Sequence, residues 1–170
     1  SHSYPTGTGT QSNKSAGAIA FSESNLETAL IASEEVLSDS ENMIGIYMDT
    51  IVAPLALRKS IYVVAKSDLK SGTTDNDANV YKGGIYKTKG GTIPNIVIWK
   101  SLGAYAGGSD TAWYLMDSAN HKVTFLDADP VKVERDDSSG FKNDMMYWKV
   151  RFMSATGWFD WRGVWGSAGA

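Results

Sequence analysis

The feature that most constrains this chain is a change of hydrophobic period partway along it. Between Ser24 and about residue 70 two segments with helical spacing flank a strand-like run at Ile44–Val52; from Asp75 onward apolar residues fall into short β-like runs separated by Gly, Pro, Asn and Asp. Helices first and strands afterwards give an α+β chain. At 170 residues it is long enough for one domain, or one and a small subdomain, with a core of its own. Hydrophobic residues at 42% and charged residues at 21% exclude a disordered chain.

The first predicted helix starts at Ser24, where Ser24-Asn25-Leu26-Glu27 reads as a capping box. Positions 26, 29, 30, 33, 36 and 37 form its buried stripe, and it should end near Leu37–Ser40. Ile44–Val52 reads as a buried strand or strand pair around Gly45. Pro54 suits the first turn of a second helix, with Leu57, Ile61, Val64 and Ala65 buried and Gly72 beyond its end. The β-like runs are Val80–Lys87, Asn95–Trp99, Thr111–Asp117, Val123–Leu126 and Val131–Arg135.

Met145–Trp165 predicts a hairpin with a turn at Ser154–Gly157. That register sets Met153 opposite Trp158, and Phe152 and Val150 opposite Phe159 and Trp161. Met146 then faces Trp165, and Arg151 and Lys149 share the other face with Asp160. Val150, Phe152, Phe159 and Trp161 are the expected hairpin core. Residues 1–20, rich in Gly, Ser, Thr and Asn, read as an extended arm that is ordered only when docked.

Little here points to chemistry. A net charge of −3 gives no electrostatic case for nucleic acid as the main partner. The absence of Cys removes thiolate nucleophiles, disulfides and Cys-type zinc sites. Stretches such as Ile51–Leu57 and Ile96–Trp99 fall far short of the ~20 residues of a spanning helix. Gly7 to Ser15 lacks the glycines of a phosphate loop at Thr8 and Asn13. Asp75, Asp77 and Asn79 have the alternate spacing that opens a calcium loop, but Val80 and Tyr86 stand where Gly and Glu are needed. Asp136-Asp137 beside Ser-Ser-Gly reads as an exposed turn. His121, near Asp117 and Asp127, reads as a polar turn residue, since no nucleophile motif surrounds it. No catalytic, cofactor or metal site is assigned. Trp158, Trp161 and Trp165 could form a sugar-stacking platform, which keeps a β-rich carbohydrate-binding or tail-associated adhesion module as the alternative function. Coplanar, solvent-facing Trp rings would favour it.

The C-terminal half is more specific. Ala112-Trp113-Tyr114-Leu115-Met116-Asp117, Val123-Thr124-Phe125-Leu126-Asp127 and Pro130-Val131-Lys132-Val133-Glu134 form one block; Gly140-Phe141, Tyr147 to Phe152 and Gly157 to Val164 form a second. Together with the order of helix, strand, Pro54 and helix upstream, they resemble the tail of a tailed-phage major capsid protein, closest to the Mu-type major head subunits. The resemblance implies a structural, non-enzymatic protein of HK97-type fold that self-assembles into the hexamers and pentamers of an icosahedral shell. It implies an axial domain of two helices on a mixed sheet over 21–128, long antiparallel strands of a peripheral domain over 129–170, and a return segment over 1–20. It places the protein in the virion capsid, assembled in the host cytoplasm, with scaffold, portal or decoration proteins as further partners and packaged DNA only an indirect one. No membrane and no cofactor are implied. The sequence opens Ser1-His2 without an initiator Met, so a processed or truncated product with an upstream part is expected. Some relatives crosslink through a Lys–Asn bond; Met146-Tyr147-Trp148-Lys149 has no Asn, so crosslinking is not carried over.

Two contact surfaces follow as expectations. The loop Ser101–Thr111, with Gly103, Tyr105, Gly107, Gly108 and Asp110, should face the capsomer axis. The segment Ser22–Asp49 carries seven acidic residues and no Lys or Arg, whereas Arg58–Lys100 carries eight basic residues against three acidic ones. Glu27, Glu34 and Glu35 on one copy should therefore dock against Arg58 and Lys59 on the next.

Overall fold

The computed structural model describes residues 2–3, 10–69, 77–79, 81, 95–136 and 146–170. The expected strand Val80–Lys87, apart from Tyr81, falls outside these residues, as do Gly72, Asp75, Asp137 and Gly140-Phe141. The described chain is α+β and forms two compact units, 1–121 with 161–170, and 122–160.

The first unit is built on a four-stranded mixed sheet in the order β4-β3-β5-β8: β3 (Thr50–Ala53), β4 (Asn95–Ile98), β5 (Trp113–Met116) and β8 (Val164–Ser167). β3 runs parallel to β4 and antiparallel to β5, which pairs antiparallel with β8. The register lines up Ile96, Ile51, Leu115 and Trp165 as one row across the sheet. Alternation puts Ile98, Ala53, Trp113 and Ser167 on the same face. Leu26 and Ala29 of α1 (Glu23–Glu34) and Ile61 of α2 (Arg58–Lys66) join Ile51, Ala53, Trp113, Leu115 and Trp165 in one buried cluster. Both amphipathic stripes expected from the sequence therefore serve one core.

Several boundaries moved for physical reasons. α1 is capped by Ser22, whose hydroxyl accepts from the Asn25 amide at 3.3 Å, not by Ser24. It stops at Glu34 instead of continuing to Leu37–Ser40, because Leu37 is held elsewhere. Its N–H and carbonyl are both taken by the Gln11 side chain at 2.7 and 3.0 Å, and it bridges to Met43. In Ile44–Val52 only the end is strand. The ladder begins at Asp49, whose amide donates to Met116, while the Tyr47 amide donates to the Asp117 carboxylate. Pro54 caps a 3₁₀ turn, Leu55–Leu57, that leads into α2, so it precedes the helix by more than one turn position.

The arm docks. His2–Ser3 (β1) pairs with Thr10–Gln11 (β2), and Ser15 and Asn13 share backbone hydrogen bonds with Gly166 at 3.1 and 2.9 Å. The Ile19 carbonyl accepts the Trp113 indole N–H at 3.0 Å.

The second unit is a two-stranded antiparallel ribbon of β6 (Val123–Asp136) and β7 (Tyr147–Trp158). Two expectations fail here. Val123–Leu126 and Val131–Arg135 are one strand, because irregularities between Asp127 and Lys132 absorb Pro130 without ending the ladder. The turn at Ser154–Gly157 does not form: these residues continue β7 and pair with Thr124–Asp127. Val150 lies opposite Val133, not Trp161, and Arg151 pairs with Asp129, not Asp160. The hairpin core therefore does not exist as expected: Val150, Phe152 and Phe159 are exposed on the chain. Trp161 belongs to the first unit, stacked on His2 at 4.1 Å and beneath the Arg162 guanidinium. Trp165 lies in β8, with its ring 5.3 Å from Trp113.

This placement reverses the weight of two tryptophans. Trp165→Ala should cost about 3–5 kcal/mol, as other large truncations in packed cores do. Trp161→Ala, at a half-buried site, should cost about half of that or less. Urea unfolding of both variants beside the parent checks the order.

Candidate assembly surfaces

The loop between β4 and β5 is stiffer than its glycines suggest. Two 3₁₀ turns, Lys100–Leu102 and Ala104–Ala106, fold it back on itself. The Ser109 amide donates to the Leu102 carbonyl at 2.8 Å, and the Gly108 amide to the Gly103 carbonyl at 3.1 Å. Asp110 is the anchor, its Oδ1 accepting from the Ala104 amide at 3.0 Å. Gly107 has φ +85°, which favours glycine, and a Cβ on Gly108 would sit 2.1 Å from the Leu102 carbonyl oxygen, so Gly108 has no room for a side chain. The product of this scaffold is Tyr105, fully exposed at the end of the sheet where β4 finishes and β5 starts.

The charged segments are less uniform than their sequence. Glu27 is committed within the chain, where its carboxylate accepts from the hydroxyl of buried Tyr81 at 2.7 Å. Asp39 pairs with Arg162, and Asp49 accepts from the Ser118 amide at 3.0 Å and the Ser118 hydroxyl. Glu34 is half-buried and Glu35 exposed, while Arg58 and Lys59 lie exposed at the start of α2.

The polar residues that drew attention in the sequence are structural fasteners. Asn79, from the calcium-like spacing, is buried and ties down the end of α2. Its amide donates to the Val64 and Ser67 carbonyls at 2.7 and 3.0 Å, and its oxygen accepts from the Tyr81 amide. The sequence offered only the calcium-like spacing there, and the partners twelve and fifteen residues upstream were not legible. Asp117 organises the turn after β5, not a catalytic pair with His121. Burial alone would raise its pKa, but the Asn120 side chain at 2.6 Å and the amides of Tyr47, Ala119 and Asn120 outweigh that and hold it below the ordinary 3.8. His121 donates its backbone amide to the Asp117 carbonyl, and its Nδ1 is buried without a hydrogen-bond partner among the described residues. Among the described residues, no cluster of three His, Cys, Asp or Glu is placed to hold a metal ion. The three-tryptophan platform does not assemble, since Trp165 is in the core and Trp161 is covered by His2.

Among the described residues, these polar groups are spent on turns and caps, and Tyr105 is held outward on its loop. A family model described as Phage capsid protein matches residues 2–167, and the chain belongs to that family. Its role is structural, in the capsid of the virion. A search of the curated proteins returns no match.

The Asp117 turn generates a test. A carboxyl with a folded pKa below its unfolded value stabilises the fold above the unfolded pKa, and that contribution is lost as pH falls through the folded one. Asp117→Asn should lower Tm by a few °C at pH 7. Thermal melts in steps from pH 7 to pH 2 should show the two curves converging below about pH 3.8 as the native carboxylate protonates.

Proposed function

We propose that this chain is a major capsid subunit of HK97-type fold, closest to the Mu-type head subunits, that self-assembles into the hexamers and pentamers of an icosahedral shell. The observation that carries the reading is the loop Lys100–Thr111, because it spends its hydrogen bonds on holding a bare tyrosine in place. A fully exposed aromatic on a stiff loop loses little conformational entropy when a neighbour covers it. Capsid-family membership supplies the neighbours.

On this reading the first unit plays the axial part, with residues 1–20 as the return segment. The ribbon plays the peripheral part, and β8 returns to the axial sheet. Tyr105, Gly103, Gly107, Gly108 and Asp110 face the capsomer axis. Glu34 and Glu35 of one copy meet Arg58 and Lys59 of the next in a head-to-tail ring, which closes when its rotation does. Glu27 supports this docking only indirectly, through the position of α1. Scaffold, portal and decoration proteins are the further partners, and assembly takes place in the host cytoplasm.

Electron microscopy of the full-length product expressed alone should show capsomer-sized rings or shells, and a persistently monomeric product would overturn the reading. Tyr105→Ala should leave unfolding within about 0.5 kcal/mol of the parent, as for other exposed positions, while lowering the yield of rings.

Reversing exposed Glu35 to Lys should slow assembly at low salt with Tm nearly unchanged. Raising salt should slow the parent as well, because exposed charges are screened over about 10 Å at 0.1 M. Light scattering followed over time gives both rates.

A further inference from the structure

The end of the first unit's sheet where β3 and β4 finish and β5 begins carries two unlike aromatic features. One is Tyr105, fully exposed on the braced loop that leaves β4, crosses the end of β3 and enters β5. The other lies at the margin of the sheet. β4 is an edge strand, and Trp99 follows its last residue. The Trp99 amide donates to the Ala53 carbonyl at 2.9 Å, which sets Trp99 beside the chain two residues before Leu55. Trp99 is 55% exposed and Leu55 54%, although neighbouring Ala53 and Pro54 are buried.

Neither feature serves the other within one chain. Tyr105 keeps its whole side chain in solvent, and the backbone hydrogen bonds of its loop hold it there. Trp and Tyr are the residue types that most often anchor contacts between proteins.

We propose that Tyr105 of one copy seats on Trp99 and Leu55 of the next. The inference rests on the capsid reading for a ring with this end toward its axis, and the geometry of a ring then selects the occupant. Rotation keeps every residue at its own distance from the axis, so whatever covers Tyr105 lies at the same end of the neighbour. Among the described residues, Trp99 and Leu55 are the other large apolar side chains exposed at that end. Knob and seat are distinct patches, one on the loop that spans β4 to β5 and one at the sheet margin. A head-to-tail ring needs two such patches, whereas one self-complementary patch closes a dimer.

Charge agrees with this pairing. Asp110 is the one charged residue in 101–111, and Lys100 lies exposed beside Trp99, so loop and seat carry opposite signs. A phenol ring and an indole attract one another edge-on or offset, with centroids about 4.5–7 Å apart. Because the loop is already folded, little further ordering opposes the contact.

The test mixes two variants of the full-length product and counts rings by electron microscopy and sedimentation velocity at fixed total concentration. Tyr105→Asp spoils the knob and keeps the seat; Trp99→Arg spoils the seat and keeps the knob. Each alone should lower the yield of rings about tenfold or more, because every junction loses an aromatic anchor. An equal mixture should return to within about threefold of the parent. In a six-membered ring that alternates the two, Tyr105-on-Trp99 junctions alternate with Asp-on-Arg ion pairs, a rescue that only a contact between copies gives. Trp99→Phe, which keeps an aromatic seat, should assemble within about threefold of the parent. Thermal melts should lie within a few °C of the parent, as for other exposed positions, and Leu55→Arg replaces Trp99→Arg in the mixture if the latter melts lower. Single variants that assemble like the parent, or a mixture as weak as its components, overturn the seat, and parent rings in the same micrographs leave the capsid reading standing. A parent that forms no rings overturns both.

Discussion

The first unit depends on the burial of one indole. Trp113 is fully buried, and a buried indole N–H without an acceptor would cost about 1–3 kcal/mol. Its acceptor is the Ile19 carbonyl, supplied by the arm. Phe21, at the entry to α1, meets the ring edge-on at 5.3 Å, and Trp165 of β8 closes the other side. One side chain thus fixes the arm, the start of α1 and the two antiparallel strands in a single arrangement. Ser167 reinforces it: its hydroxyl donates to the same Ile19 carbonyl and accepts from the Ile19 amide. A segment poor in apolar residues, which could not order itself, is ordered because the core needs its backbone.

That arrangement also explains where the chain keeps surface for contacts. The polar side chains that could have made chemistry are consumed at element ends: Asn79 at the end of α2, Asp117 after β5, Asp49 before β3 and Gln11 at Leu37. What remains outward includes charges such as Glu35, Arg58 and Lys59 and the exposed aromatic and apolar residues at Tyr105 and along the ribbon. A shell protein has the same division of labour, with interior polar groups fixing shape and exposed apolar groups left for neighbours.

Periodicity made the core legible. The stripe through Leu26, Ala29 and Ser33 and the pair Ile61 and Ala65 were readable from spacing alone, as were the strands at Asn95 and Trp113. Alternation along Tyr147–Phe152 was also readable, and the structure keeps apolar and charged residues on separate faces. The partner strand was not readable. Arg151 has an acidic residue within reach of two registers, Asp129 and Asp160, and Ser154-Ala155-Thr156-Gly157 serves as strand as readily as turn. Local spacing ranks faces; it does not choose between two long-range pairings that both keep those faces. The resemblance to capsid proteins carried the function where side-chain chemistry had nothing to offer. The loop around Tyr105 was found through its glycines, but its stiffness came from backbone hydrogen bonds that no residue pattern announces.

The irregular stretch of β6 has a consequence for how such a chain can change length. Between Asp127 and Arg135 the strand advances eight residues while β7, from Ser154 to Trp148, advances six. The surplus is two, an even number. Strand faces alternate with a period of two, so both surplus residues together leave Val133 and Arg135 on the same side as Phe125. Each surplus residue is taken up locally, because a bulge adds one residue to a strand and leaves the pairing beyond it in step with the partner. The side that Val133 and Arg135 face is therefore set by β7 and not by the number of residues that precede them on β6.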